Sequence, residues 1–258
     1  MSGKIVYLGL LSHRLSDRTD LDTVTGSNRG IGHGLVSVLA ARPDAIVFAG
    51  ARDPMADSLK ELAAKYPNLH PIHFVANDVV NNEAAVAEIK KTAGQLDVVI
   101  ANAGIGNYAG PLSKTPLSVF TEHWQVNTLG TVVLFQAVQD LLLASPTGEP
   151  IFAYISSGVG SIGGFINFST SGYGASKAAS NYLIKALDAE HPSLISMAIS
   201  PGWVATDMGN SSAAYHGREQ APVTVEDSVE GILQRVDGAT KEKSSGRFWN
   251  FTGDERQW

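Results

Sequence analysis

Residues 25–32 read Thr25-Gly26-Ser27-Asn28-Arg29-Gly30-Ile31-Gly32, three glycines at the spacing G-x3-G-x-G. Gly26 permits a tight turn, Gly30 lets a backbone approach a pyrophosphate, and Gly32 lets the following helix pack close on a sheet. That helix start offers free N–H groups and partial positive charge to phosphate oxygens. An ordinary glycine-rich turn carries the same spelling, so the surroundings decide. Downstream, short β-rich runs alternate with helical patterns. The runs at 45–50 (AIVFAG), 69–75 (LHPIHFV), 96–101 (LDVVIA), 151–156 (IFAYIS) and 194–200 (LISMAIS) read as strands. Several are apolar nearly throughout, as a sheet covered on both faces requires. Helical patterns fall at 30–41, 56–65, 82–93, 117–144, 173–190 and 225–236, and a late strand at 246–251 closes an edge. This alternation predicts an α/β fold: one doubly wound parallel sheet of Rossmann type, helices on both faces, a single domain over 1–258. Ligands in such sheets bind at the carboxyl ends of the strands.

Composition sets the bounds. With 258 residues, 44% hydrophobic and 17% charged, the chain has enough apolar material for a large core. A formal charge of −6 argues against coating a nucleic acid. The absence of cysteine removes disulfides, thiolate catalysis and zinc–thiolate sites. The seven histidines show no metal-ligand spacing, so no metal is expected. No uninterrupted apolar run of ~18–20 residues suggests a membrane helix. Nor does the N-terminus read as a signal peptide, so the cytoplasm is the expected location.

The end of the second strand bears on the choice of cofactor. A carboxylate there commonly binds the ribose 2′-hydroxyl of NAD. Here the run is Ala49-Gly50-Ala51-Arg52-Asp53, with Ala51 at the acid's place and Arg52 next to it. Arg29 lies within the glycine loop on the same side. Two guanidiniums near one ribose suit a 2′-phosphate, and so NADP. The competing reading has Arg52 paired with Asp53 at the surface.

Tyr173 and Lys177 stand four apart in Tyr173-Gly174-Ala175-Ser176-Lys177, on one face of a helix. A free tyrosine, with pKa near 10, is a poor acid–base. A neighbouring ammonium and a cationic nicotinamide are expected to lower that pKa. Ser157 lies at the end of a strand, where its hydroxyl can hold a carbonyl oxygen that Tyr173 protonates.

With these residues in view, the chain from Val24 onward resembles the short-chain dehydrogenases/reductases. TGSNRGIG at 25–32 resembles the family's cofactor loop, Asn77-Asp78-Val79 its adenine contact, and Asn102-Ala103-Gly104 its NAG motif. Ser157, Tyr173 and Lys177 match its catalytic set, and Asn127 its helix asparagine. Pro201, Gly202, Val204 and Thr206, within SPGWVATDM, resemble the segment on the nicotinamide side. That segment and the tail FWNFTGDERQW look most like fungal ketoreductases of the norsolorinic acid type. The resemblance implies hydride transfer between NADPH and a ketone or aldehyde, reversible as alcohol oxidation. Tyr173 would be the proton donor and Lys177 would bind the ribose. Ser157 would orient the substrate oxygen, and Asn127 would support Lys177 through a water and carry a proton relay. It also implies a small-molecule carbonyl substrate and a homodimer.

One segment departs from the pattern. Thr19-Asp20-Leu21-Asp22-Thr23 is largely polar where a central strand should lead into the loop. Lys4-Ile5-Val6-Tyr7-Leu8 is a better strand. Joining it to Val24 by removing 9–23 gives an unbroken strand and loop, so 9–23 reads as an insertion and 5–8 as the first strand. The alternative first strand is 21–25. An insertion beside the pyrophosphate site admits a second function, a catalytically weak or silent dinucleotide-binding protein. Tyr108, Phe165, Phe168, Trp203 and Tyr215 are candidates to line an apolar pocket for an aromatic ketone, or are ordinary core and loop aromatics.

Overall fold

A computed structural model of the chain describes residues 20–258. Eight strands form one sheet in the order β3-β2-β1-β4-β5-β6-β7-β8. They are β1 (Asp20–Thr25), β2 (Ala45–Ala51), β3 (Leu69–His73), β4 (Val98–Ala101), β5 (Ile151–Ile155), β6 (Ile195–Ser200), β7 (Arg247–Asn250) and β8 (Glu255–Arg256). All pairings are parallel except β7 with β8. The helices are α1 (Gly30–Ala40), α2 (Asp57–Lys65), α3 (Val79–Thr92), α4 (Leu117–His123), α5 (Gly130–Leu143), α6 (Ser171–Glu190), α7 (Asp207–Tyr215), α8 (Val225–Asp237) and the short α9 (Lys241–Ser244). This is the doubly wound α/β fold expected from the alternation.

The apolar strands explain the two layers. β4, β5 and β6 are buried along their whole length. On one face Leu35, Val36 and Leu39 of α1 pack with Val229, Ile232 and Leu233 of α8. On the other, Ile89 of α3, Leu134 and Val138 of α5 and Ile184 of α6 cover Phe48, Phe152 and Phe248. The chain reverses its winding between β1 and β4, which are neighbours. A crevice therefore opens at their carboxyl ends.

The helix expected over 117–144 is one rod with a fault. A π-helical turn, Trp124–Leu129, separates α4 from α5. By length and composition alone the rod Leu117–Leu143 is apolar enough to cross a membrane, although polar residues interrupt it. Half of its most apolar stretch is buried inside the fold, where α5 packs on α3 and β4.

The first strand corrects the sequence reading. Residues 5–8, and 9–19 of the supposed insertion, lie outside the described residues. Residues 20–23 are no insertion: they are four of the six residues of β1, at the sheet centre. Asp20 to Thr25 pair with Ala45 to Gly50 of β2, and Asp22 to Val24 with Val98 to Ile100 of β4. Asp22 and Thr23 are buried in spite of their polarity. Backbone pairing on both sides and direct continuity with Gly26 outweigh hydropathy here. Among the described residues β1 leads into the glycine loop without a break.

Candidate active site

Steric demands shape the glycine loop. Gly26 has φ +70°, in the left-handed region that favours glycine. A side chain on Gly32 would put its Cβ 2.2 Å from the Gly26 carbonyl oxygen. The loop closes on itself only because that position is bare. Asn102, just after β4, ties the loop to the sheet. Its Nδ2 donates to the Thr25 carbonyl at 2.8 Å, and the backbone N–H groups of Asn102 and Ala103 both donate to Thr25 Oγ1 at 3.0 Å. Ser27 points inward, donating to the Val24 carbonyl at 2.7 Å. α1 then begins at Gly30 with no acidic side chain in its first turn, leaving its N–H groups and dipole to an anion.

From this loop a cavity of about 1130 Å³ runs across the ends of β4 and β5 towards α7. Gly26, Asn28, Arg29, Gly30, Ile31 and Gly32 line one end, with Arg52. Asn102, Ala103 and Gly104 form the floor, and Pro201, Gly202, Val204 and Thr206 a wall. Ser157, Tyr173 and Lys177 open into the same space. Arg52 is exposed and in no ion pair among the described residues. Asp53, its supposed partner, accepts from the Met55 backbone at 2.9 Å instead. Arg29 reaches across the cleft to Asp207 at 3.3 Å, but both side chains are largely exposed, so the pair is weak.

Three expected cofactor residues do not line the cavity. The Ser27 side chain is buried under the loop. Asp78 caps α3, accepting from Asn81 N at 2.9 Å, and Val79 begins that helix on the surface. A helix start competes for the Asp78 carboxylate, and Phe74, Val75 and Ala76 form that part of the wall. Phe165 is likewise outside and exposed, whereas Tyr108, Phe168, Trp203 and Tyr215 line the cavity. Phe168 stands edge-on to Trp203, with ring centroids 4.8 Å apart. Sequence reasoning missed Met208 and Tyr215's helix α7, and Asn250 and Arg256 at the far end. Neither of the last two carries a sequence signal, since both lie among other polar residues of the tail FWNFTGDERQW.

Ser157, Tyr173 and Lys177 sit where strand ends meet α6. Ser157 follows β5 and caps the turn Gly158–Gly160. Tyr173 lies near Ser157, whose side chain favours the ionised phenol. One turn along α6, Lys177 is buried; its Nζ donates to the Ile155 carbonyl at 2.7 Å and lies 5.7 Å from the Tyr173 ring centroid. Asn127 lies behind them in the π-helical turn, fully buried. Its Oδ1 accepts from Ile105 N at 2.8 Å, while its Nδ2 donates to Ile105 O at 2.9 Å and Ser176 Oγ at 3.0 Å. In this arrangement Asn127 braces the segment after Gly104 against α6. The unusual turn is what aims it there.

Burial governs the titration of this pair. It pushes the Tyr173 phenol up to about 12, against the Ser157 side chain, which favours ionisation. It pulls Lys177 down to about 7. The expected lysine-driven lowering of the phenol pKa is therefore reversed among the protein's own groups, because desolvation of both outweighs their attraction.

The short chain dehydrogenase family model matches residues 23–216. Norsolorinic acid ketoreductase nor1 of Dothistroma septosporum is 39% identical over 233 residues, 87% of this chain and 87% of that protein. Norsolorinic acid ketoreductase stcE of Emericella nidulans is 34% identical over 252 residues, 94% of this chain and 95% of that protein. Among solved structures, the NADPH bound carbonyl reductase from chicken fatty liver superposes with a TM-score of 0.83 at 32% identity, covering 93% of this chain and 100% of that one.

Proposed function

Because the chain belongs to the short-chain dehydrogenase family, we propose that it is an NADPH-dependent carbonyl reductase acting on small aromatic ketones. One observation carries this reading. A single cavity joins Ser157, Tyr173 and Lys177 to a glycine loop flanked by two arginines. The names of its ketoreductase relatives and the NADPH of the chicken enzyme support it.

The residues fit the cofactor. The bare Gly26–Gly32 contact and the helix start would receive the pyrophosphate, and Arg52 with Arg29 the 2′-phosphate. Asn102 to Gly104 and the wall from Pro201 to Thr206 would flank the remainder. When bound, NADPH supplies the hydride. The protein's part is the proton. Ser157 Oγ holds the carbonyl oxygen, and the Tyr173 hydroxyl delivers a proton to it. A phenol pushed up to about 12 stays protonated at neutral pH, which suits reduction. Lys177 Nζ stabilises the phenolate that results. Asn127 is a positioning residue that fixes the floor beside Lys177. Phe168, Trp203 and Tyr215 give the ketone an aromatic wall.

The chain is further read as a homodimer. Leu117, Trp124 and Tyr182 are large apolar side chains exposed on α4, the π-helical turn and α6, which pack together.

The test is direct. The purified protein is given NADPH with acetophenone or 2-acetylnaphthalene, and loss of nicotinamide absorbance is followed. Turnover of either ketone supports the reading, with the larger ring favoured. Bound NADPH without turnover of any aryl ketone would overturn it.

A further inference from the structure

At the end of the cavity away from the glycine loop lies a cation that the proposed reduction does not use. β8 places it there by strand alternation: Glu255 pairs with Arg247 at 2.7 Å, and Arg256 points to the other face. The strand is held by its ladder to β7, where Phe248 pairs with Arg256, so the guanidinium is presented from the sheet and not from a loose tip. Its Nη1 donates to Asn250 Oδ1 at 2.7 Å, and its Cζ stands 5.8 Å from the Phe248 ring centroid. Its Nε is buried without a hydrogen-bond partner among the described residues. Its Nη2 lies over Gly158, where a Cβ would come within 3.1 Å of it. Gly158 directly follows Ser157.

Arg256 takes part in no ion pair among the described residues. Its field reaches Asp254, but that carboxylate is already engaged by Thr252 and Asn250. A partly buried guanidinium in no ion pair among the described residues, opening into a cavity, gains most from an anionic oxygen that arrives with a ligand. Arg29 and Arg52 stand at the glycine-loop end, so Arg256 is not needed for the cofactor's phosphates. Ile166 and Phe168, which also line the cavity, supply apolar surface for the rest of the molecule.

We propose that Arg256 is a specificity-determining residue that binds a negatively charged oxygen, a carboxylate or an ionised phenol, on the aryl ketone whose carbonyl faces Ser157 and Tyr173. This rests on the carbonyl-reductase reading. Gly158 belongs to the same device, since a side chain there would displace the guanidinium.

The experiment compares matched ketones that differ in that charge. One pair is 4-acetylbenzoate and its methyl ester; the other is 4-hydroxyacetophenone, above its phenol pKa, and 4-methoxyacetophenone. The quantity read is the ratio of kcat/KM, charged over neutral, in the native protein, Arg256→Leu and Arg256→Lys. The ratio should fall about tenfold or more in Arg256→Leu and recover in part in Arg256→Lys, as loss of a charge-assisted contact implies. The pair with the larger fall identifies the oxygen. An unchanged ratio in both pairs overturns the proposal. A measurement on the native protein covers the case in which variants do not fold. Benzoate should quench tryptophan fluorescence at lower concentration than benzamide, and equal titrations overturn the proposal. If no ketone is turned over, the reductase reading falls, while the benzoate comparison still decides Arg256.

Discussion

Arg52 stands at the end of β2 with its guanidinium in solvent and Asp53 turned away to the Met55 backbone. It is free to fork onto a phosphate. Arg52→Ala should weaken NADPH by about 1.5–3 kcal/mol, tenfold or more, and NADH little, because the two differ only by that phosphate. Titration of nicotinamide fluorescence with each cofactor checks this, and equal weakening contradicts the assignment. Lys177 yields a second prediction. Burial brings it to about 7, so its ammonium form is lost as the pH rises through that value. Tyr173, at about 12, keeps its proton throughout the neutral range. The kcat/KM for ketone reduction should be highest below about pH 7 and decline above it, with no second limb before the phenol titrates. A profile that rises with pH through neutrality would mean that the neutral lysine is the working form.

At the scale of elements, β1 is where reading by hydropathy fails. A deletion separates the two candidate first strands. Removing residues 2–8 leaves β1 whole and destroys the competing strand. That variant should melt within a few degrees of the full chain and bind NADPH equally well. Loss of folding, measured by circular dichroism, would put residues 5–8 in the sheet. Strands β2 to β7 were legible as short β-rich runs, with ends within two residues of those observed, because burial on both faces forces apolar runs at the sheet centre, whereas the two-residue β8, Glu255–Arg256, has no apolar run to announce it. β1 was not, since its place is set by its neighbours' hydrogen bonds and by Thr25, whose hydroxyl receives Asn102 and Ala103. α7, in DMGNSSAAY, carries no apolar periodicity and owes its start to the Thr206 cap. The π-helical turn at 124–129 has no spelling of its own, and Asp78 was read as a ligand contact because the same residue type serves as a cap. The placing of Tyr173 and Lys177 on one cavity wall was legible because residues four apart share a helix face whatever surrounds them.

The whole molecule brings these pieces into one crevice, and its outer face supplies a further test. Light scattering should give twice the mass of one chain, and Leu117→Glu combined with Tyr182→Glu should reduce it to one. A native protein that scatters as a single chain contradicts the dimer. Tyr173→Phe removes one oxygen from the wall that faces Ser157 and leaves the glycine loop, Arg52 and Lys177 in place. Steady-state reduction of an aryl ketone and NADPH titration, both on this variant, test whether Tyr173 is the proton donor. NADPH affinity should stay close to that of the native protein, with nearly all turnover gone. Retention of more than about a tenth of kcat/KM, a loss under ~1.4 kcal/mol in transition-state stabilisation, would show that Tyr173 is not the proton donor.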